Sequence, residues 1–316
     1  MNKYLVTGVA GFIGSHLAEA LLRSGGAVRG IDCFTDYYPR WIKERNLAGC
    51  LRQERFSFTE ADLLECDLHE LVDDADVVFH LAAQAGVRAS WGESFKIYTN
   101  NNILATQLLL EAVRSRPLRK LVYASSSSVY GDTRELPMNE AHPVLPVSPY
   151  GVSKLSGEQL GMLYHHNFGV PVVGLRFFTV YGPRQRPDMG FHRFFAAIHE
   201  DRPITIFGDG EQTRDFTYIE DIVRATVRAS EIDESGLIFN IGGGHRVTVN
   251  EVMELLAKVT GRTVEVTHIE DQKGDMRHTY ADISRAARLL AYHPQYELER
   301  GLRQEWDWYR TLRSER

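Results

Sequence analysis

Short runs of β-branched and other apolar residues alternate with longer segments of helical period over about the first 125 residues of the chain. This alternation is typical of a doubly wound parallel sheet, in which each strand leads into a helix that covers one face of the sheet. Residues 13–23 and 103–114 carry apolar residues three and four positions apart, as sheet-covering helices do. The predicted strands are residues 4–7, 28–32, 55–59, 77–81 and 121–124. Right-handed crossovers between them would set the topology.

Beyond these strands, a predicted helix at 150–167 and a strand at 170–175 extend the sheet. The segment GPRQRPDMG, which begins at Gly182, combines two prolines, two glycines and two arginines, which favours a loop that leaves the sheet. Residues 219–229 and 237–241 again resemble a helix and a strand, and helices are predicted near 249–259 and 298–309. We therefore predict a larger α/β domain of residues 1–180 plus about 217–242, and a smaller, discontinuous α/β domain of residues 181–216 and 243–316.

The composition is that of an ordinary globular protein, with 43% hydrophobic and 25% charged residues. No apolar run approaches the roughly 20 residues that cross a bilayer, and the first residues enter a strand without the zones of a signal peptide. We therefore expect a soluble, cytoplasmic protein that does not bind membranes. The net charge of -6 gives no general attraction to nucleic acid. Cys33, Cys50 and Cys66 lack CxxC spacing and the histidines lack metal-binding spacing, so we predict free thiols and no metal site.

A glycine-rich turn follows the first predicted strand and has the spacing GxxGxxG. Gly8 permits the tight turn, Gly11 lets a phosphate approach the backbone, and Gly14 lets the following helix pack on the strand. The amides at the start of that helix can hold a pyrophosphate. They belong to Phe12 and Ile13. The second strand ends in Asp32, whose carboxylate can accept hydrogen bonds from an adenosine ribose and would repel the 2′-phosphate of NADP. Strand, turn, helix and acid together predict an NAD site rather than a ligand-free junction.

Two further strand ends lie where a dinucleotide would cross the sheet. Asp62 and Leu63 follow the third strand, and the Asp62 carboxylate could accept a hydrogen bond from the adenine amino group. Leu81, Ala82 and Ala83 end the fourth strand, and the two alanines leave room for the cofactor at a topological switch point. Plain packing of small residues explains the alanines equally well.

Tyr150 and Lys154 lie four residues apart at the start of a predicted helix, so both side chains project from one face. An ammonium beside a phenol favours the phenolate and makes the tyrosine a usable general base. A YxxxK pair is common by chance, but here the strand at 121–124 leads into four consecutive serines, 125–128, whose hydroxyls could hold a substrate oxygen. This context favours a base over a surface pair at Tyr150 and Lys154, whereas the four serines taken alone are better explained as a turn.

The glycine turn together with HLAAQAGVR, SSSSVYG, SPYGVSK and GPRQRPDM resembles the extended short-chain dehydrogenase/reductase family, in particular its nucleotide-sugar epimerases and dehydratases. The likeness covers essentially the whole chain. It implies a Rossmann-type domain that binds NAD, a smaller domain that holds a UDP-sugar, and a homodimer formed through helices of the sheet domain. It also implies that Ser126 holds the sugar O4 while Tyr150 removes its proton and a hydride passes from C4 to NAD.

The residues after Ser126 bear on the fate of the 4-keto sugar. In the 4,6-dehydratases of this family an Asp-Glu pair follows the catalytic hydroxyl, and the related decarboxylases carry a glutamate at the position of Ser128. This chain has Ser127 and Ser128, which cannot do that acid-base work at neutral pH. The resemblance therefore implies 4-epimerisation, with dehydration or decarboxylation as alternatives. Retention of Ser126, Tyr150 and Lys154 argues against a catalytically silent, NAD-sensing regulator.

The runs AQAGVR and VYGPRQRPDM resemble epimerases that act on UDP-glucuronate more than those that act on UDP-glucose. In that group, residues matching Arg186, Thr179, Ser127 and Ser128 contact the substrate carboxylate. A guanidinium suits this task because it binds a carboxylate through two parallel hydrogen bonds. Alternatives for Arg186 are a phosphate contact or a solvated charge, and a 4-epimerase of UDP-glucose or UDP-N-acetylglucosamine stays open.

The resemblance also assigns residues to the nucleotide. Arg214 matches a family arginine that binds the diphosphate, and Asp275 matches a residue near the ribose. The role of Arg277 is open, because a small or apolar residue is expected there. It could compensate for Gln272, which stands where some epimerases have a phosphate-binding arginine. Weaker candidates for substrate contacts are Arg88, Phe191 and Arg193.

Overall fold

A seven-stranded parallel sheet forms the centre of the computed structural model, which describes residues 1–133, 135–270 and 273–314. Gln272 lies outside the described residues. The seventh strand of this sheet is β11 in chain order, Leu237–Ile241. The first six are β1 (Lys3–Thr7), β2 (Ala27–Asp32), β3 (Phe56–Glu60), β4 (Val77–His80), β5 (Lys120–Ser126) and β6 (Val172–Phe177). The predicted α/β fold with a doubly wound parallel sheet is confirmed, and no strand end differs from the prediction by more than two residues.

The strands lie in the order β11-β6-β5-β4-β1-β2-β3. Leu5 of β1 is paired with Val78 of β4 on one side and with Arg29 of β2 on the other. The strand order reverses at the β1–β4 boundary, so the segments that follow these two strands leave in opposite directions. A crevice opens at the carboxyl ends of such strands, and it is the usual ligand site of this architecture.

Helices cover both faces of the sheet, and the predicted helices 13–23 and 150–167 agree with the structure within one residue at each end. The predicted helix 103–114 is longer than expected, since helical structure already begins at Phe95 and passes through a π-helical turn, Thr99–Leu104. The helices of this part are α1 (Phe12–Arg23), α2 (Arg40–Leu47), α3 (Leu68–Val72), α4 (Phe95–Tyr98), α5 (Ala105–Val113) and α6 (Pro149–Phe168).

Helix α6, which carries the predicted catalytic pair, has strong start and stop signals. The Ser148 hydroxyl accepts a hydrogen bond from the Gly151 amide at 3.1 Å, and Pro149 occupies the first helical position. At the other end Gly169 adopts the left-handed conformation, with φ of 72°, and stops the helix. These signals fix where the helix begins, and therefore where Tyr150 lies relative to the end of β5.

The chain leaves the sheet after β6 and returns to it once. Helix α8 (Ile219–Ala229) leads to β11, which pairs with β6 in parallel. The remaining strands form three two-stranded pairs, β7 with β10, β8 with β13 and β9 with β12. The other elements are β7 (Val180–Tyr181), α7 (Gly190–His199), β8 (Ile204–Phe207), β9 (Thr213–Asp215), β10 (Thr217–Tyr218), β12 (Arg246–Thr248), α9 (Val249–Thr260), β13 (Val266–Ile269), α10 (Ser284–Leu290) and α11 (Leu298–Ser314). The division into two domains at the predicted boundaries stays a prediction.

Two hydrophobic clusters lie on opposite faces of the sheet because successive strand residues point to opposite sides. In β1, Leu5 belongs to the cluster under α5, whereas Val6 belongs to the cluster under α1. The cluster under α1 continues without a break into the smaller part of the molecule, where it includes Phe195 of α7 and Trp306 of α11. This shared core holds the loops of the smaller part over the carboxyl ends of the strands.

Candidate active site

A cleft of about 1040 Å³ runs along the carboxyl ends of the strands, between the sheet and the smaller part of the molecule. Most of the residues predicted to bind cofactor or substrate line it. They are Gly8, Gly11, Phe12, Ile13, Gly14, Asp32, Leu81, Ala82, Ala83, Arg88, Ser126, Ser127, Ser128, Tyr150, Lys154, Thr179, Arg186, Arg193, Arg214 and Asp275. The fold thus gathers residues from along the chain into one site.

Three predicted residues do not line this cleft. Phe191 is 2% exposed, and its ring packs against Phe216 with a centroid distance of 4.8 Å. The expected substrate contact of Phe191 therefore has no support in the structure, because its side chain is used in the core. Leu63 is buried under the sheet, and the Asp62 carboxylate accepts a hydrogen bond from the Leu64 amide at 2.9 Å.

The glycine turn is closed by backbone contacts that no larger residue would allow. A Cβ atom at Gly14 would lie 2.2 Å from the carbonyl oxygen of Gly8, and one at Gly8 would lie 2.9 Å from the Cα of Ala82. Gly8 also has a positive φ of 68°. Since the residue before α1 is Gly11, no capping side chain covers the first amides of the helix. This cradle fits the pyrophosphate of a dinucleotide.

Asp32 lies at the end of β2, where sequence reasoning expected the adenosine ribose. Its carboxylate accepts hydrogen bonds from the amides of Ala10 at 3.1 Å and Phe34 at 2.9 Å. Sequence reasoning missed Lys43, whose buried ammonium lies 3.7 Å from Asp32 and also lines the cleft. The spacing of 11 residues gives no motif that would have revealed it. Because a cation neighbours the carboxylate, charge repulsion alone rejects a 2′-phosphate less strongly than the sequence suggested.

Ser126, Tyr150 and Lys154 meet where β5 ends and α6 begins. The Ser126 side chain lies beside the Tyr150 phenol and lowers its pKa, and its hydroxyl accepts a hydrogen bond from the Ser128 amide at 3.1 Å. The Lys154 ammonium lies 4.6 Å from the centroid of the Tyr123 ring and is 4% exposed. A hydroxyl, a phenol and an ammonium are thus grouped at one point of the cleft wall.

Burial dominates the protonation of this group. Burial raises the pKa of Tyr150. The positive charge of Arg186 and hydrogen bonding to Ser126 lower this pKa, but by less. Burial lowers the pKa of Lys154 to about 7, opposed by the Glu158 carboxylate. The cation that favours the phenolate in the free protein is therefore Arg186, which sequence reasoning assigned only to the substrate. Lys154 is placed to change charge near neutral pH.

Arg186 does not stand free in the cleft. Its Nε and Nη2 atoms each donate a hydrogen bond of 3.0 Å to Asp188, which also accepts one from the Tyr37 hydroxyl at 3.2 Å. Sequence reasoning missed Asp188, although it lies two residues away in the quoted loop. An internal carboxylate therefore occupies two donors of the guanidinium predicted to bind a substrate carboxylate.

At the far end of the cleft, charged side chains pair with one another or with a backbone carbonyl. Arg88 forms an ion pair of 2.6 Å with Asp275 and lies 3.8 Å over the Phe207 ring. Arg214 donates to the carbonyl oxygen of Arg277 at 3.3 Å. The Arg277 guanidinium itself forms an ion pair of 2.7 Å with Asp209. In the structure, Arg277 thus supports the arginine predicted to bind the diphosphate and does not itself line the cleft.

The described part of the chain, residues 1–133, 135–270 and 273–314, contains neither a candidate metal site nor a candidate membrane span. No three His, Cys, Asp or Glu side chains of this part lie close enough together to hold a metal ion. None of its helices combines the length and apolarity of a membrane span. Cys33, Cys50 and Cys66 are free thiols.

Comparison with known proteins gives the same assignment along the whole chain. Residues 4–242 match the model of the NAD dependent epimerase/dehydratase family. A Bacillus subtilis protein named "Uncharacterized UDP-glucose epimerase YtcB" is 47% identical over 305 residues, 96% of each chain. A UDP-glucuronate 4-epimerase of Thermodesulfobacterium geofontis is 41% identical over 98% of this chain and 96% of its own.

A solved structure gives the same result in three dimensions. The Bacillus cereus UDP-glucuronic acid 4-epimerase, crystallised with UDP-glucuronic acid and NAD, superposes with a TM-score of 0.96 and 48% identity. The superposition covers 98% of this chain and 99% of that one. The resemblance to nucleotide-sugar epimerases is confirmed. The chain therefore belongs to the NAD-dependent epimerase/dehydratase family, and NAD is its cofactor.

Proposed function

We propose that this protein is an NAD-dependent UDP-sugar 4-epimerase whose substrate is UDP-glucuronate and whose product is UDP-galacturonate. The observation that carries the proposal is the placement of Arg186 in the same cleft as Ser126, Tyr150 and Lys154. A cation there can hold a sugar acid while the hydroxyl, phenol and ammonium act at C4. The names of the similar Thermodesulfobacterium and Bacillus cereus enzymes support this substrate.

We infer the roles of the catalytic residues from the family resemblance, which their positions support. Ser126 holds the sugar O4 by a hydrogen bond, and Tyr150 removes the O4 proton. Before that transfer the Lys154 charge stabilises Tyr150 as the phenolate that acts as the base, and afterwards Tyr150, now a phenol, can return the proton to O4. NAD, when bound, accepts the hydride from C4 and gives it back to the other face of the ketone. The cycle leaves no net oxidation, so rotation of the 4-keto sugar between the two steps decides the product.

The carboxylate of the substrate needs its own restraint. A uronic acid oxidised at C4 is a β-keto acid, which loses carbon dioxide when the breaking bond overlaps the ketone. We assign the restraint to Arg186, helped by the hydroxyls of Thr179, Ser127 and Ser128, which line the same cleft. The substrate acid would either displace Asp188 from Arg186 or use its remaining donor groups.

The competing reactions lack their chemical groups in this chain. Dehydration needs an acid and a base after Ser126, and decarboxylases of this family carry a glutamate at position 128. Serines occupy both positions, 127 and 128. Epimerisation of a neutral UDP-hexose is the alternative with a specific observation behind it, because Asp188 already neutralises Arg186 and the Bacillus subtilis relative is named for UDP-glucose.

The test is a substrate comparison with purified protein. UDP-glucuronate, UDP-glucose and UDP-N-acetylglucosamine are incubated separately, and the nucleotide sugars are separated by ion-exchange chromatography. We expect UDP-galacturonate from the first substrate at a kcat/KM at least tenfold above that for the neutral sugars. Turnover confined to a neutral sugar would overturn the substrate assignment, and a UDP-pentose with released carbon dioxide would identify a decarboxylase. A protein that binds NAD but turns over none of them would revive the regulator hypothesis.

We also propose contacts for the cofactor and an oligomeric state. The glycine turn, Asp32, Asp62 and the strand end at 81–83 would hold NAD, with Lys43 added beside the ribose. A homodimer is supported by apolar side chains exposed on the neighbouring helices α4 to α6. They are Ile97, Leu104, Val152 and Leu163. Light scattering that gives a monomer at micromolar concentration would contradict the dimer. Three free thiols suit a reducing compartment, which supports a cytoplasmic location.

A further inference from the structure

A buried carboxylate lies one helical turn beyond Lys154. Tyr150, Lys154 and Glu158 are spaced four residues apart in α6, so their side chains lie in a row on one face of the helix. Glu158 is 1% exposed and is not among the residues that line the cleft. It therefore touches neither substrate nor cofactor, and the catalytic roles assigned above leave it unused.

Glu158 joins three elements of the fold. One carboxylate oxygen accepts hydrogen bonds from the Ser125 hydroxyl of β5 at 2.7 Å and from Nε of Arg176 in β6 at 3.0 Å. The other oxygen accepts a hydrogen bond from Nη2 of Arg176 at 2.6 Å. Ser125 directly precedes Ser126, so this carboxylate fixes the strand end that carries the catalytic hydroxyl to the helix that carries the base.

Stability alone is a weak reason for such an arrangement. Arg176 is 4% exposed, so both charges of the pair are buried. Removing two charges from water costs about as much free energy as their attraction returns, and packed apolar residues often serve equally well. The position of the pair behind Lys154 suggests that its charge serves the active site.

We propose that Glu158 is a positioning residue for the reaction: from behind the helix its carboxylate keeps the buried Lys154 ammonium charged and holds Ser126 against Tyr150. The proposal rests on the assignment of Tyr150 and Lys154 as the acid-base pair, but not on the identity of the sugar.

The surroundings of Lys154 support this assignment. On α6 it is flanked by Tyr150 and Glu158, and from β5 the ring of Tyr123 faces it. From β4, His80 is uncharged at neutral pH, because burial and the charge of Lys154 lower its pKa to about 3. Arg176 of β6 forms the ion pair with Glu158 but is not among the groups that shift the pKa of Lys154. Burial lowers the pKa of Lys154, and the charge of the Glu158 carboxylate raises it.

The chemical consequence concerns where one proton resides. The working state, phenolate with ammonium, has the same number of protons as phenol with neutral amine, so the two forms interconvert without solvent. A carboxylate beside the amine favours the first form. Without the carboxylate, the Tyr150–Lys154 pair loses its first proton at a lower pH. A smaller fraction of the singly deprotonated pair is then phenolate with ammonium, which is the working form.

The test is the pH dependence of kcat for Glu158→Gln, measured with the UDP-sugar that the wild type turns over best. We expect the acid limb to move down by about one pH unit, as removal of a close charge requires, and the plateau to fall about tenfold. KM should change less than twofold, because Glu158 does not reach the cleft. In an ultraviolet titration of the tyrosinate band, with Tyr150→Phe to identify the share of Tyr150, the fraction of Tyr150 that is phenolate after loss of the first proton should fall by the same factor of about ten, without substrate. If the wild type turns over no UDP-sugar, the proposed function is wrong. The titration still tests the role of Glu158 in that case, because it needs no substrate.

Two variants keep the test decisive. If Glu158→Gln does not fold, the double variant Glu158→Gln/Arg176→Gln removes both buried charges, and we expect a shift in the same direction because Glu158, and not Arg176, is the charge that shifts the pKa of Lys154. Glu305→Gln is the matched control, since Glu305 is also fully buried but lies on α11 and accepts a hydrogen bond from the Gly182 amide at 2.7 Å. Its acid limb should stay in place. A folded Glu158→Gln or double variant with the wild-type acid limb and plateau would overturn the proposal, as would an equal shift in Glu305→Gln.

Discussion

The two halves of the cleft are built in different ways. The cofactor half is shaped by backbone: a glycine turn whose Cβ positions are blocked, strand ends in fixed register, and a helix start without a side-chain cap. The substrate half is shaped by charged side chains on loops that pair with one another, such as Arg186 with Asp188 and Arg88 with Asp275. A site built from backbone tolerates little change, whereas a site built from ion pairs can exchange partners when a ligand arrives.

The largest expected effect is at Gly14, in the backbone-built half. Gly14→Ala places a methyl group 2.2 Å from the Gly8 carbonyl oxygen, and neither backbone segment can move far. We expect a loss of on the order of 3 kcal/mol in the free energy of unfolding, together with loss of bound NAD. Urea denaturation and the absorbance of nucleotide released from the purified protein measure the two effects.

Gly169→Ala is the control for that substitution, because nothing lies within 4 Å of a Cβ atom there, although Gly169, unlike Gly14, has a positive φ of 72°. It should cost about 1 kcal/mol and leave NAD bound. Equal behaviour of the two variants would show that tight packing does not shape the cofactor half.

The next effect is at Arg186, in the half built from ion pairs. For Arg186→Ala we expect kcat/KM for UDP-glucuronate to fall about 100-fold, near the upper end for hydrogen bonds to a charged group, while a neutral UDP-hexose, which loses only the Arg186 charge beside Tyr150, should lose far less. Parallel steady-state assays with both substrates decide this. Equal losses for both would show that Arg186 acts on Tyr150 or on the phosphates rather than on the acid.

A smaller effect is expected at Asp188, and it has the opposite sign. Asp188→Asn removes the carboxylate that competes for Arg186, so KM for UDP-glucuronate should fall about threefold, which is within the range of a partly exposed ion pair. The same variant should raise the apparent affinity for UDP-galacturonate in product inhibition. A higher KM would mean that Asp188 orients Arg186 rather than competing for it.

The smallest effect is expected at the cleft rim. Arg88 is 41% exposed in its pair with Asp275, so Arg88→Ala should raise KM by about two- to fivefold at low salt. The difference from the wild type should shrink at 0.5 M NaCl, because salt screens exposed charges. A defect in kcat that ignores salt would place Arg88 in the chemistry instead.

The features that could be predicted from the sequence follow the same division, because those set by the local backbone were predictable and those set by distant side chains were not. The ends of α6 were predicted within one residue because Ser148, Pro149 and Gly169 are local signals. The glycine turn and Asp32 were predictable because their spacing is local too. The helix before α5 was missed since three consecutive asparagines, 100–102, interrupt its apolar period, and the structure absorbs them in a π-helical turn.

The missed site residues depend on tertiary contacts. Lys43 meets Asp32 only after α2 folds back on the sheet, and the competition between Asp188 and a substrate acid for Arg186 is a matter of charge geometry. Phe191 shows the reverse case: it lies in a segment that resembles the substrate-binding segment of the family, but its ring packs in the core on the apolar face of α7, and its substrate contact stays a prediction. The family resemblance identified the segment, whereas the packing of its side chains determines which of them reach the cleft.

The most direct test of the central claim follows the hydrogen at C4. UDP-glucuronate carrying deuterium at C4 is incubated with the enzyme, without added reductant, and the product is examined by NMR and mass spectrometry. Transient oxidation with return of the same hydride predicts UDP-galacturonate that keeps its deuterium at C4, with no carbon dioxide released. Deuterium lost to solvent, or a UDP-pentose in place of the epimer, would contradict it.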